Sequence, residues 1–372
     1  MNWIRCVIVW KESLWLALEE AGKLEREAAI KEGHVDSHGI PYITVYLDGG
    51  WSKRSYGHTY NANSGAAVII GKTTGKVLFV GVRNKYCCIC ARAENNNEAA
   101  KTHICFKNWS GSSSSMEQDI IVEGFNNSIE MHGVKYLKFI ADGDSSVYKN
   151  IKGKVPYGHE VVKIECMNHV LKNFSKNLYK IKKDTQGVPV DARKMLKSDT
   201  INELNKSVQS AIYANTQDPE NLRADIRNSI YHVYGNHSAC KQYLCTNTGD
   251  VSNDRTTQLI SSGLHHHLFG AIEQLLMKAD LLLDKETNNR AEIFMNIMAR
   301  FNMGKRLNLI QRNSFQIRAH LSVLSYNYGS DWHTKPWKSY FNESPGKNLK
   351  KFISAQGNEK SGSAKILMIG NL

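Results

Sequence analysis

Two aspartates stand where a metal-dependent reaction on phosphate would need them. Asp48 closes the segment ITVYLD and Asp142 closes VKYLKFIAD. Carboxylate oxygens are hard ligands for Mg2+, and two such ions about 3.5–4 Å apart steady the attacking and leaving oxygens of a phosphodiester. Asp144, two residues on, competes with Asp142 for the second position. An Asp before Gly is also ordinary turn chemistry. Softer ligands form a separate set. Cys87 and Cys90 make a C-x-x-C, with His103 and Cys105 after a polar stretch. That spacing suits a tetrahedral zinc site, with burial of cysteines behind a strand as the plainer alternative. Cys166 and His169 form another pair; His237, Cys240, Cys245 and the run His265, His266, His267 are further groups. Any two of these groups could complete a second site.

These residues are held by a recognisable succession of elements. Leu14, Leu18, Ala21, Leu24 and Ala28 recur at helical spacing, which predicts an amphipathic helix over 11–32 that Gly33 stops. From Ile43 the texture turns to β, with strands at 43–48, 65–71 and 76–85 separated by Gly, Ser, Asn and Thr turn residues. Ser115 is placed to cap a helix over 116–131. A fourth strand ends at Asp142 and a fifth, 160–166, runs into the helix HVLKNFSKNLYKIKK. Residues 190–285 carry helical texture without strands, and a last good helix over 289–303 is ended by Gly304. Three strands, helix, strand, helix, strand, helices is α/β with a mixed sheet, and the order matches the ribonuclease H-like one.

Composition narrows the class. With 41% hydrophobic and 22% charged residues in 372, the chain reads as globular, with room for one large domain or two ordinary ones. No apolar run approaches the roughly 20 residues of a membrane span, and Lys11 and Glu12 interrupt the N-terminal patch before any secretory cleavage site. Eight cysteines are too sparse for a disulfide scaffold, which fits an intracellular chain. Basic residues outnumber acidic ones 48 to 35, a balance that favours a polyanionic partner such as nucleic acid. One basic stretch includes Lys163, Lys172, Lys176 and Lys180; another runs Arg300, Lys305, Arg306, Arg312, Arg318. Both suit phosphate neutralisation, and both suit a solvated helix face. No P-loop or dinucleotide fingerprint is present, which argues against nucleotide hydrolysis.

The segments YLDGGWSKRSYG, NKYCCIC, FIADGDSSVY, ECMNHVLKNF and NNRAEIFMNIMARFNMGKRLN, in that order, resemble a Mutator-like transposase domain of animal genomes, over about 20–327. The resemblance implies a ribonuclease H-like core with helices on both faces of its sheet and an Asp, Asp, Glu set. Those fall on Asp48, Asp142 and Glu292, with a C-x-x-H at Cys166 and His169. It implies a lead-in over 1–40, a core over 41–185, a helical insertion over 186–285 and the core's C-terminal helices over 286–330; 331–372 is left as a polar basic tail. By analogy with related recombinases, Cys166 and His169 would join two of His265–His267, or else the His237 group, around a second zinc.

The expected function is Mg2+-dependent DNA cleavage and strand transfer in the nucleus, on double-stranded DNA, within a homo-oligomeric complex. Two ions would lie at Asp48, Asp142 and Glu292; structural zinc would lie at Cys87, Cys90, His103 and Cys105; and Lys172, Lys176, Arg300, Lys305 and Arg306 would contact DNA. Only 47 residues precede Asp48, which predicts a fragment, a decayed copy or a host gene made from one. A non-catalytic, transposon-derived nuclear DNA-binding protein is the alternative, and a zinc-stabilised cellular nuclease a third reading.

Overall fold

The computed structural model describes residues 3–52, 62–141, 145–215, 217–305, 307, 309, 313–348 and 351. Asp142, Asp144 and Arg306 lie outside the described residues. The first helix, α1 (Trp3–Lys31), starts earlier than the predicted 11, because no Gly or Pro interrupts the chain before Gly22. Its stripe of Leu14, Ala17, Leu18, Ala21, Glu25 and Ala29 is buried, and Gly33 ends it with φ 76°.

Strands β1 (Tyr42–Trp51), β2 (Ser64–Gly71) and β3 (Val77–Asn84) form an antiparallel meander, with Asp48 opposite Val68 and Val68 opposite Val80. Helix α2 (Cys88–Asn95) is not legible in the cysteine-rich stretch; α3 (Met116–His132) follows, ended by left-handed Gly133. Then come β4 (Lys135–Ala141), α4 (Ser145–Lys154), β5 (Val162–Glu165) and α5 (Met167–Lys183). Among the described residues the five strands order as β3-β2-β1-β4-β5, so β1 and β4, each leading to or carrying a candidate aspartate, are neighbours. The mixed α/β, ribonuclease H-like class expected from the element order is the one found.

After α5 the chain is helical, as its texture predicts: α6 (Val190–Met195), α7 (Ser198–Ala214), α8 (Pro219–Val233), α9 (Thr256–Ser261), α10 (Leu264–Leu276) and α11 (Ala279–Leu282). Asp218 caps α8 by accepting from the Glu220 and Asn221 amides, with Pro219 in the first turn. Helices α12 (Asn289–Phe301), α13 (Ser314–Tyr328) and α14 (Thr334–Phe341) complete the order. α13 buries Phe315, Ile317, Ala319, Ser322, Val323, Leu324 and Asn327, which spreads around its circumference and leaves no amphipathic period to read. α14 falls in the stretch read as a tail.

Contacts divide the chain into two compact units: 1–139, 144–162 and 289–372 in one, 140–143 and 163–288 in the other. In the second, α5, α7, α8 and α10 share a core of Phe174, Leu178, Leu204, Val208, Ile226, Ile230, Leu268 and Ile272. In the first, β2 is buried along its whole length because helices cover both faces of the sheet. A Cβ on Gly49 would lie 2.4 Å from the Glu117 carboxyl carbon of α3, and one on Gly50 would lie 2.7 Å from Met298 Cε of α12. Alternate strand residues face opposite sides, so α3 and α12 press on β1 from its two faces directly after Asp48. The two glycines are what that approach demands.

Buried side-chain hydrogen bonds tie helix α13 to the meander. Buried Asn327 accepts from the Val77 amide at 2.8 Å and donates to the Val77 carbonyl at 3.1 Å. Asn327→Leu would leave both backbone groups without partners in a dry site, at a cost of roughly 2–4 kcal/mol. Urea unfolding of the two proteins measures this; an unchanged midpoint would mean that water or a shift of α13 replaces both bonds.

Candidate active site and metal centre

Asp48 sits near the end of β1, half-buried, its Oδ1 accepting from the Gly49 amide at 2.8 Å. Glu292 is in the first turn of α12, exposed, while Ala291, Phe294 and Met298 on the same helix are buried. Two contacts set the register between these elements. The Arg290 guanidinium lies over the Tyr46 ring at 5.7 Å from its centroid, and Met295 and Met298 close over Gly50. Tyr46, Asp48 and Gly50 share one face of β1 by the two-residue period of a strand. The strand and the helix therefore run in the same sense, with Asp48 between Tyr46 and Gly50 along β1 and Glu292 between Arg290 and Met295 along α12. Arg290 also donates to the Lys72 carbonyl, which pins the start of α12 at the β2–β3 turn.

Asp142 follows the last residue of β4, the strand beside β1; its own placement, and that of its rival Asp144, falls outside the described residues. Before α5, Cys166 is buried and His169 Nδ1 lies 3.2 Å from its Sγ. The Asn288 amide donates to that sulfur at 3.3 Å, and the Met167 amide donates to the Glu286 carbonyl at 2.9 Å. The junction between β5 and α5 is thus stitched to the segment that precedes α12. Among the described residues, neither group offered as a completion forms a metal-binding cluster with this pair. His265 packs on Phe269 and meets the Tyr231 hydroxyl at 3.2 Å, while His237, Cys240 and Cys245 gather around His232, a residue that spacing does not single out.

Cys87, Cys90, His103 and Cys105 do converge. One ligand atom from each lies within 4.8 Å of all the others. Cys87 Sγ and Cys90 Sγ are 3.2 and 3.5 Å from His103 Nε2, and the Cys90 and Cys105 sulfurs are 3.6 Å apart. Sulfur and nitrogen at about 2.3 and 2.0–2.1 Å from a tetrahedral ion would lie about 3.6 Å from each other. The other ring nitrogen of His103 meets the Lys101 carbonyl at 2.7 Å, the kind of hydrogen bond that orients a ligating imidazole. Cys88 is exposed and outside the group.

Electrostatics favour ligation here. Burial pushes the Cys87 thiol up, yet hydrogen bonds from the Cys90 and Ile89 amides and from its side-chain neighbours bring it down to about 6. Cys90, beside the Cys105 sulfur, is pushed up to about 11, and His103 rises to about 9 through the Lys101 carbonyl and the sulfurs around it. At neutral pH the Cys87 thiolate is ready, and Cys90 and His103 carry protons that a cation would displace.

Lys172, Lys176, Lys180 and Lys183 are exposed along α5, opposite buried Val170, Phe174 and Leu178. Lys163 is not part of that surface: it is buried and paired with Glu165 at 3.5 Å. Arg300 is exposed at the end of α12, whereas the Lys305 side chain, like Arg306, is outside what is described.

The profile of the Mutator-like transposase family matches residues 7–245. The chain belongs to that family. The matched region takes in Asp48, Asp142, the Cys87 group and Cys166 with His169; Glu292 lies beyond it. None of the curated proteins compared with this Mutator-like chain matches it significantly. A Mutator-like transposase acts on DNA, and among the described residues no helix is long and apolar enough to cross a membrane.

Proposed function

We propose that this chain is the catalytic core of a transposase that cleaves DNA and transfers the freed strand, with Asp48, Asp142 and Glu292 as the ligands of two Mg2+ ions. The observation that carries the reading is the register of α12 on β1, in which the contacts of Arg290 with Tyr46 and of Met295 with Gly50 flank Asp48 along the strand and Glu292 along the helix. Both residues offer hard oxygen donors, the set that Mg2+ takes. Bound there, the ions would activate an attacking oxygen and stabilise the leaving one. Asp48 is fixed by its strand and by the Gly49 amide, and Glu292, on a helix held by buried Phe294 and Met298, keeps its carboxylate open to solvent and to a phosphate backbone. Two successive displacements at one site, first by water and then by the freed 3′-OH, give cleavage followed by joining.

The Cys87, Cys90, His103, Cys105 group holds structural zinc in this reading, and the work is done on double-stranded DNA in the nucleus by a homo-oligomeric complex. The direct test is incubation of purified protein with labelled duplex and Mg2+. Nicking that leaves 3′-OH ends, and joined products on longer incubation, are expected. Duplex binding with no Mg2+-dependent product overturns the catalytic reading in favour of a DNA-binding protein without chemistry.

DNA binding has its own expected result. Changing Arg300, Lys305 and Arg306 together to Glu should weaken binding to every duplex alike and flatten the dependence of log affinity on log salt by about 0.9 for each phosphate no longer neutralised. Affinities at two salt concentrations decide it; equal slopes remove this stretch from the DNA path.

A further inference from the structure

The segment after α8 is long and nearly without a core. From Gly235 to Gln258, all described, Cys240 is the one buried residue. Apolar burial cannot order so many residues, because fixing each backbone residue costs about 1–2 kcal/mol of conformational entropy. Yet the segment folds back tightly. The His237 amide donates to the Asp250 carbonyl at 3.0 Å, the Gly249 amide to the His237 carbonyl at 2.9 Å, and the Arg255 amide to the Tyr234 carbonyl at 2.8 Å. Gly235, at φ 85°, passes so close to Asn253 that a Cβ there would lie 2.2 Å from its carbonyl oxygen.

Four metal-binding side chains meet inside this fold. His232 Nδ1 is 3.1 Å from His237 Nδ1; Cys240 Sγ is 3.5 Å from the first and 3.6 Å from the second; Cys245 Sγ is 3.4 Å from His237 Nδ1. All four ligand atoms lie within 4.8 Å of one another. A tetrahedral ion with ligands at about 2.0–2.3 Å requires separations of about 3.3 Å between nitrogens and about 3.6 Å between nitrogen and sulfur. The observed distances follow that pattern. The sequence spacing, H-x4-H then C-x4-C, has pair separations typical of zinc sites.

The surroundings are built for it. The Asn247 amide donates to Cys245 Sγ at 3.3 Å and the Asn228 side-chain amide to Cys240 Sγ at 3.4 Å, which suits thiolates. Between the two cysteines, Lys241 pairs with buried Asp225 at 2.7 Å and the Tyr243 hydroxyl donates to the same carboxylate at 2.6 Å. This clamps the loop to α8, the helix that carries His232.

We infer that His232, His237, Cys240 and Cys245 form a self-contained zinc site that closes the 235–255 loop onto the end of α8. Two thiolates and two neutral imidazoles leave the Zn2+ site uncharged overall and match its preference for four nitrogen and sulfur ligands. It needs neither Cys166 nor His169, and it is independent of any cleavage chemistry.

Metal content of the purified full chain tests it. Cys245→Ser should lose about one equivalent of zinc relative to the unaltered protein, and a Cys90→Ser/Cys245→Ser chain should lose one more than Cys90→Ser alone. A gain-of-ligand variant guards against loss by misfolding. In Co2+-loaded protein bearing Cys90→Ser, His232→Cys should raise sulfur-to-cobalt absorption from this site by about half, as two sulfurs become three. Unchanged zinc in Cys245→Ser, unchanged absorption in His232→Cys, or a Cys240–Cys245 disulfide in the purified protein would each overturn the assignment.

Discussion

Asp48→Asn should reduce Mg2+-dependent strand cleavage by at least about a hundredfold while leaving duplex affinity unchanged or slightly higher. The asparagine keeps the size and the acceptor that meets the Gly49 amide, so folding is preserved. What it lacks is the charge that holds a hard cation, and preorganised charge at a phosphoryl centre carries effects of this size. Removing one negative charge also lessens repulsion of the DNA backbone, which sets the direction for binding. Glu292→Gln should behave alike, and the double variant should be barely worse than either, because groups that act as one unit are not additive. Single-turnover cleavage together with a binding curve separates the outcomes. Activity within a few-fold of the original in Glu292→Gln would remove this residue from the set and leave the helix as packing. The control is Glu117, which faces the same strand from its other side at Gly49: Glu117→Gln should leave cleavage within a few-fold.

Cys90→Ser should remove about one equivalent of zinc per chain and release the segment from 86 to 111 to proteolysis. Cys90 is central to the group, near both His103 and the Cys105 sulfur, so a hydroxyl in its place breaks the set rather than trimming it. Asn84 and Asn108 tie the two ends of this stretch to β3, but between them little else orders it: Ala93 is the buried residue of α2, and Cys105 is exposed. Acid should do the same reversibly. Cys87, held down to about 6, keeps its thiolate above that pH and is protonated as pH falls through it, whereas His103, at about 9 without metal, must shed a proton for the cation to bind. Zinc affinity is therefore expected to fall steadily as pH is lowered from 8, and most steeply below about 6. Zinc release followed with a chromogenic chelator across pH 5–8 measures this. Affinity flat over that range, or full zinc in Cys90→Ser, would leave these as packed thiols.

The elements are legible in the sequence to different degrees for physical reasons. β2 reads as an uninterrupted apolar run because both of its faces are covered. α3 carries its stop, Gly133, in the left-handed conformation that glycine adopts without strain, whereas α12 ends at Phe301, ahead of the expected stop at Gly304. α2 carries no such signal. Its helix is short, with one buried residue, and the cysteines that define it contribute ligands more than period. α13 is hidden by the opposite condition, burial on nearly every side.

Sequence alone determined the class of this protein: the order of strands and helices marks the mixed α/β fold, and the segments around Asp48, Asp142 and Cys166 resemble the Mutator-like family, because local pattern and residue type survive in one dimension. It also marked Cys87, Cys90, His103 and Cys105 as one group, since their separation is short enough for a loop to close. Tertiary structure alone decided what depends on through-space register. A lone glutamate on a helix has no periodic or spacing signature, so Glu292 is named only by resemblance; that α12 packs along β1 is shown by the contacts of Arg290 with Tyr46 and of Met295 with Gly50. His232 is a further case. It lies at the end of α8 and reads as one more helical residue until the 235–255 loop folds back on it and sets His237, Cys240 and Cys245 around its ring.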